Sequence, residues 1–344
     1  MALAVEQNWS GKLEGIAVTR YQHGLRTRQI EVIEAGHPVP DEAGESAARG
    51  ILEQAKKLGP DDLLLVLISG GGSSLLSLPA PGLSMQTLKS LTGALLRSGA
   101  DIREMNTVRK HLSAIAGGRL AAASRAPVVA LIISDVVGDD PTHIASGPCA
   151  PDPTTIEDAK AVLAKYRIDF RGPFSESPKA VKATNKVIAT AYRSLEAAAE
   201  VFRRHGIRPE ILGDTITGEA REVGAEMARL ARKTRGPAAL ISGGECTVTV
   251  TGEGGRGGRC CEFLLALGIE SGGLWAMAAD TDGIDGTEDN AGAILTPESI
   301  RRGPDPRGHL ARHDSYGFFS ALGDLVMTGP TRTNVNDYRA ILVP

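Results

Sequence analysis

The run Leu63-Leu64-Leu65-Val66-Leu67-Ile68 passes directly into Ser69-Gly70-Gly71-Gly72-Ser73-Ser74. Apolar residues bounded by turn formers read as a buried strand, and the glycines read as a turn at its carboxyl end. Nearly the same ending recurs at Leu240-Ile241-Ser242-Gly243-Gly244. In open α/β sheets ligands bind at such strand ends, because backbone N–H groups there approach a phosphate or carboxylate with no side chain between. Gly70, Gly71, Gly72, Ser73 and Ser74 make the fuller cradle, since two hydroxyls precede a helix-compatible segment.

Outward from that turn, helices and strands alternate. Pro38 and Pro40 keep the approach to a helix extended, Asp41 caps it, and Gly59-Pro60 stops it; Ala47, Ile51, Leu52 and Ala55 form its apolar stripe. Ser84 caps a second helix reaching about Arg97, with Leu88, Leu91, Leu95 and Leu96 on the buried side. A strand is expected at 128–133, breaking into Ser134-Asp135. Helical periodicity covers 185–204 and 219–233, with a short strand at 208–212 between them. This order predicts an α/β fold with a parallel sheet covered by helices on both faces.

After Gly236-Pro237 the composition shifts to dense glycine and frequent strands, at 238–242, 247–251, 274–279 and 339–343. A domain boundary is placed there, giving domains 1–236 and 237–344. Thr247-Val248-Thr249-Val250-Thr251 alternates strictly, which suits a half-exposed antiparallel strand.

Bulk properties narrow the function. The chain has 344 residues, enough for two domains, with 42% hydrophobic and 23% charged residues, as in an ordinary globular protein. A net charge of −3 and 4% aromatics leave neither a basic field nor stacking platforms for nucleic acid. No apolar run approaches the roughly 18–20 residues of a membrane span. The start, 1–9, lacks the basic and apolar regions of a signal peptide. The cysteines Cys149, Cys246, Cys260 and Cys261 lack zinc-finger spacing, so a cytoplasmic, reducing setting is expected; a redox pair is the lesser alternative.

Several motifs could carry chemistry. Gly11-Lys12 has neither the upstream glycine nor the strand of a Walker A loop, and protein-kinase signatures are absent. Gly252-x-Gly254-x-x-Gly257 matches a dinucleotide fingerprint formally, but the alternating strand before it favours a different glycine loop. That loop carries Arg256 and Arg259, whose guanidiniums suit a polyphosphate or carboxylate. Arg109, Lys110 and Arg119 either clamp a small carboxylate or form a cationic outer helix face. Asp135 stands at a strand end, fit for a metal ligand or base. Asp280, Asp282 and Asp285 follow another strand without EF-hand spacing, and magnesium commonly takes one or two such carboxylates plus substrate phosphates. Asp139, Asp140 and Asp289 read as surface turns. His143 and Ser146 lie close together without a nucleophile elbow, which leaves hydrolase chemistry a minor option.

Taken together, the stretches EAGHPVPDEAG (34–44), ISGGGSSLL (68–76), NTVRKHLSAIAGGRLA (106–121), SDVVGDDPTHIASGP (134–148), TGEGGRGGR (251–259), AADTDGIDGTEDNAG (278–292) and GPTRTNVND (329–337) resemble the glycerate 2-kinase family. Its members were often labelled hydroxypyruvate reductases, and their C-terminal half is the MOFRL domain. The resemblance implies a Rossmann-like N-terminal domain with a parallel sheet and a C-terminal α/β MOFRL-type domain, with the active site in the cleft between them. It implies ATP-dependent phosphorylation of D-glycerate at the 2-hydroxyl, with magnesium. Two departures stand out. Family members carry a further N-terminal segment with a Gly-Lys-Ala turn whose lysine belongs to the active site, so a truncated chain is expected. Where this chain has Cys260-Cys261, the family usually has Asn-Gln.

On this reading the Gly70–Ser74 turn, Arg109 and Lys110 hold the substrate. Asp135 or Asp282 orients the attacking hydroxyl, Asp135, Asp280 and Asp282 are the metal candidates, and Arg256 and Arg259 face the γ-phosphate. Glycerate and a nucleotide are the expected partners, and a homodimer is left open. The rivals are a nicotinamide-dependent reductase of hydroxypyruvate or tartronate semialdehyde, and an inactive truncated homologue.

Overall fold

The computed structural model describes every residue except Val137, which falls within the acidic stretch 134–140. The chain divides into two compact units, 1–188 and 189–344.

The first unit opens with helix α1 (Ala2–Asn8) and two parallel strands, β1 (Gly15–Arg20) and β2 (Ile30–Ala35). Helix α2 (Glu42–Lys57) starts as expected at Asp41, whose carboxylate accepts the Gly44 N–H at 3.0 Å, and it buries Ala47, Ala48 and Ala55. The decisive apolar run becomes β3 (Leu64–Ile68), and the glycine turn leads into the single turn of α3 (Gly72–Leu75). Next comes α4 (Met85–Arg97), capped by Ser84, with Leu88, Leu91 and Leu95 buried. Leu96 is instead 57% exposed, because it lies about 100° around the helix from Leu95 and off the inward face. The unit continues through α5 (Ile102–His111), α6 (Arg119–Ala123), β4 (Val128–Ile133), α7 (Ile156–Lys165) and β5 (Ala183–Ala189).

Strands β3 and β4 pair in parallel, Leu64 opposite Val128, within a three-stranded sheet ordered β3-β4-β5. Ile68, Ala130 and Ile132 pack there with Ala48, Ala55, Ile115 and Leu120, while Leu91, Leu95, Val108 and Leu163 form a second core among the helices. Strand β5 takes the first residues of the expected 185–204 helix. Its burial alternates residue by residue, the period of a strand, and Thr190 caps the helix that follows.

The second unit contains α8 (Ala191–Arg204), β6 (Arg208–Glu219), α9 (Ala220–Lys233), β7 (Ala238–Thr247), α10 (Arg259–Ser271), β8 (Trp275–Asp280) and β9 (Gly292–Leu295). The short helices α11 (Ser299–Arg302), α12 (Pro306–Ala311) and α13 (Ser315–Leu322) follow, then β10 (Leu325–Val326) and β11 (Asp337–Val343). One sheet runs β10-β9-β8-β11-β7-β6, with β6 and β7 parallel and the other neighbours antiparallel. Residues 260–268 of α10 are buried all round, so this helix is the centre of the unit's core. A side chain at Gly224 would come within 2.3 Å of the Phe263 carbonyl oxygen, so glycine there permits close packing of α9 on α10.

Two sequence expectations bear on this sheet. The composition shift near 236 falls inside the second unit, because β6 pairs along its length with β7 and draws 189–236 into that sheet. Only Thr247 of the alternating 247–251 stretch is in a strand; Thr249 instead bonds Glu219 through its N–H and hydroxyl. Alternation needs a neighbouring strand to matter, and among the described residues none pairs with 248–251. No helix among the described residues is long and apolar enough to cross a membrane.

Candidate active site

In the first unit the glycine turn after β3 meets the loop that follows β4. Gly71 has φ +79°, and a Cβ there would lie 2.9 Å from His37 Nε2. A Cβ on Gly72 would lie 2.5 Å from the Ala145 Cβ, so the two loops approach backbone to backbone. The Ser73 hydroxyl bridges the same gap, 2.9 Å from the Ser146 Oγ. Ser74 turns back and donates to the Gly71 carbonyl at 3.0 Å, which leaves Ser73 as the half-buried hydroxyl reaching across. Replacing Gly72 by Ala should therefore separate the loops; we expect a loss of about 1–3 kcal/mol in denaturant unfolding.

Helix α5 carries the cationic stretch. Its start is fixed by a capping box between Asp101 and Glu104. Lys110 is fully buried with its ammonium 2.8 Å from Asp152, so it does not serve the ligand role expected of it. Arg119 donates to the carbonyls of Lys110, Ala116 and Ser175 and acts as a backbone clamp. Arg109 differs from both: it is half-buried, and among the described residues its guanidinium has no hydrogen-bonding or ionic partner. Burial alone holds its pKa below the usual arginine value. A partly desolvated guanidinium without a counter-charge is a built anion acceptor. Asp135 lies half-buried just beyond the carboxyl end of β4. Asp140 is an exposed turn residue that caps Thr142.

In the second unit the carboxyl ends of β7 and β8 flank the start of β11, with Asp337 opposite both Gly244 and Asp280. Arg259, the first residue of α10, donates to Asp337 at 2.8 Å and to Asp280 at 2.6 Å, and lies 3.1 Å from Glu245. Asp337 also binds the buried Arg339 at 2.7 Å. Burial opposes the Arg259 charge, but the surrounding carboxylates override it and raise its pKa. Asp280 is pushed up to about 7, chiefly by burial; Arg259 opposes the shift and Asp282 adds to it. Arg259 is thus held by protein carboxylates on three sides. Arg259→Met should leave Asp280 and Asp337 crowded and under-compensated, with an expected cost of about 3–5 kcal/mol in denaturant unfolding.

The same contacts bear on a metal. One Asp280 oxygen accepts from Arg259 and the other from the Asp282 N–H at 3.1 Å, so this carboxylate does not fit magnesium. Asp282 accepts the Ile284 N–H at 2.8 Å and shapes its own turn. Among the described residues no group of three or more His, Cys, Asp or Glu side chains converges for a metal. Arg256 is exposed, donates to Glu288 through Nε and Nη2, and stacks 3.9 Å above the Tyr316 ring.

Several structural partners were not legible in the sequence. Asp285 is fully buried and accepts the N–H groups of Cys260 and Cys261 at 2.9 Å each, capping α10 from a distant loop. It therefore anchors the helix, and the aspartate-rich turn gave no sign of that. Cys260 and Cys261 are free, buried thiols whose pKa values burial raises well above normal, which argues against a reactive pair. Asp152, between two prolines, carried no signal of its pairing with Lys110.

The two unlike α/β units each carry charged groups at the ends of their strands. Residues 1–184 match the model of a domain of unknown function (DUF4147), and residues 238–337 match the MOFRL family. A protein of Agrobacterium vitis named a hydroxypyruvate reductase is 51% identical across the whole chain, which covers 84% of that protein. The glycerate 2-kinase of Pyrococcus horikoshii is 42% identical, with 94% of this chain and 80% of the relative covered. The crystal structure of glycerate kinase from Thermotoga maritima superposes with a TM-score of 0.89 at 40% identity, covering 96% of this chain and 85% of that one. The chain belongs to the glycerate 2-kinase family.

Proposed function

We propose that the chain transfers the γ-phosphoryl group of ATP to the 2-hydroxyl of D-glycerate, forming 2-phosphoglycerate. The observation that carries this reading is Arg109, a half-buried guanidinium with no partner among the described residues, on the helix whose Asn106 joins the Ser73–Ser146 pair. Arg109 would hold the acid's carboxylate, and the strand-end turn at Gly70–Ser73 would surround its hydroxyls. Phosphoryl transfer asks mainly for alignment and charge neutralisation. Asp135 would orient the attacking hydroxyl and receive its proton. Arg256, already exposed, would exchange Glu288 for the triphosphate. Magnesium would be held mainly by the nucleotide's phosphates, with Asp135 or Asp282 as the protein's contribution.

A nicotinamide-dependent reduction of hydroxypyruvate is the second reading, and the name of the Agrobacterium vitis relative favours it. The fingerprint loop does not support it. Strand β7 ends at Thr247 and α10 begins at Arg259, so Gly252 and Gly254 lie on a long exposed connection and not in a tight strand-to-helix turn. An assay coupled to ADP release decides between them. ATP-dependent consumption of D-glycerate supports the kinase, whereas NADH oxidation by hydroxypyruvate without ATP overturns it.

A further inference from the structure

The Ser73–Ser146 contact continues inward to a residue that the phosphoryl-transfer reading does not use. Ser146 donates its hydroxyl to Asn106 Oδ1 at 3.3 Å, and Asn106 Nδ2 donates to the His143 carbonyl at 3.4 Å. The second contact fixes the amide's orientation. A carbonyl only accepts, so the amide end facing His143 must be the NH₂ group, and the oxygen must face Ser146. Ser146 has one proton, and Asn106 receives it. The 2.9 Å contact between the two serines therefore runs from Ser73 to Ser146. With its proton directed inward, Ser73 presents only lone pairs outward.

The backbone around Ser146 shows that this arrangement is built and held. Ala145, Ser146 and Gly147 are consecutive left-handed residues, with φ of +50°, +58° and +61°. Two of them carry side chains that disfavour this conformation. The turn is pinned by the Gly117 N–H to the Ser146 carbonyl at 2.9 Å, and by the Gly118 N–H to the Gly147 carbonyl at 2.7 Å. Asn106, buried to 1% exposure on α5, braces it from the other side. Arg109 lies one helical turn beyond Asn106 on the same helix.

We propose that Asn106 and Ser146 are positioning residues that turn Ser73 into a hydrogen-bond acceptor, so that the site selects a 2-hydroxy acid over its 2-keto counterpart. This rests on the reading of glycerate as substrate and names the group that tells it from hydroxypyruvate. In the complex before transfer the hydroxyl next to the substrate carboxylate donates to Ser73 Oγ, and its proton passes to Asp135 only as the phosphoryl group is transferred. A carbonyl at that carbon meets lone pairs and finds no donor. Sites that pair a substrate hydroxyl reject analogues lacking it far more strongly than apolar pockets do.

Calorimetric titration of the full chain with D-glycerate and with hydroxypyruvate tests this without turnover. Wild type should prefer glycerate. Ser146→Ala removes the acceptor for the Ser73 proton, frees Ser73 to donate, and should narrow the preference about tenfold, partly by improving hydroxypyruvate binding. Ser73→Ala should weaken glycerate binding and leave hydroxypyruvate binding within about twofold. Because Ser73 lies outside the strained turn, this variant decides the matter even if Ser146→Ala does not fold. An unchanged preference in the folded variants overturns the proposal, as does a wild type that fails to bind glycerate or binds both acids alike. ATP-dependent turnover on the same wild-type preparation reads the kinase assignment separately. Selective binding without turnover would remove that assignment and leave the acceptor role of Ser73 standing.

Discussion

Arg109→Ala is expected to lower kcat/KM for glycerate by about 10²–10³, with unfolding free energy nearly unchanged. The two halves of this result share one cause. A charged hydrogen bond contributes about 1.5–3 kcal/mol, a paired guanidinium–carboxylate contact makes two, and each 1.4 kcal/mol is a factor of ten. In the free protein the guanidinium has no partner among the described residues, so its removal breaks no internal ion pair. Arg109→Lys should recover only part of the loss, since an ammonium cannot match a carboxylate with two parallel donors. Steady-state kinetics beside chemical denaturation checks both halves. A large stability loss with intact kinetics would assign Arg109 to the scaffold.

Lys110→Met should do the reverse: a large loss of stability, about 3–5 kcal/mol, with any effect on activity following from it. Lys110 and Asp152 are both fully buried, 2.8 Å apart. Asp152 also receives Ser177 at 2.7 Å and Thr154 at 2.8 Å. Burial pushes the Asp152 carboxyl up, but the bonds from Lys110, Ser177 and Thr154 prevail and bring it down to about 2. An aspartate whose pKa is depressed in the folded state binds fewer protons there than in the unfolded chain. Its stabilisation is therefore present above the unfolded value of about 3.9 and is lost as pH falls from there toward 2. Wild type should keep the pair's contribution at pH 5 and shed it progressively below pH 4. Losing Lys110 raises the folded carboxyl's pKa toward or past its unfolded value, so the variant should lose less stability than wild type as pH falls from about 4 to 2. Unfolding curves at several pH values between 2 and 6 would show whether it does.

Local structure was largely open to the sequence. The apolar run before Gly70 becomes β3, the 128–133 run becomes β4, and Asp41 and Ser84 cap α2 and α4 as their positions imply. These features depend on residues a few positions apart, where apolar periodicity and capping act directly on the backbone. The family resemblance, too, was carried by residues in contiguous blocks.

What the tertiary structure decided is which charges are free to act. Arg109, Lys110 and Arg119 look alike in the chain, yet Lys110 is neutralised by an aspartate 42 residues away and Arg119 is held by carbonyls up to 56 residues away. Arg259 follows a glycine-rich loop in the chain, yet its partners Asp280 and Asp337 lie 21 and 78 residues away. Ser73 acquires a direction only through Ser146, 73 positions later, and Asn106. Periodicity records whether a side chain faces inward. The compensation of a charge or hydroxyl depends on folding bringing a distant partner within about 3 Å, the reach of a hydrogen bond.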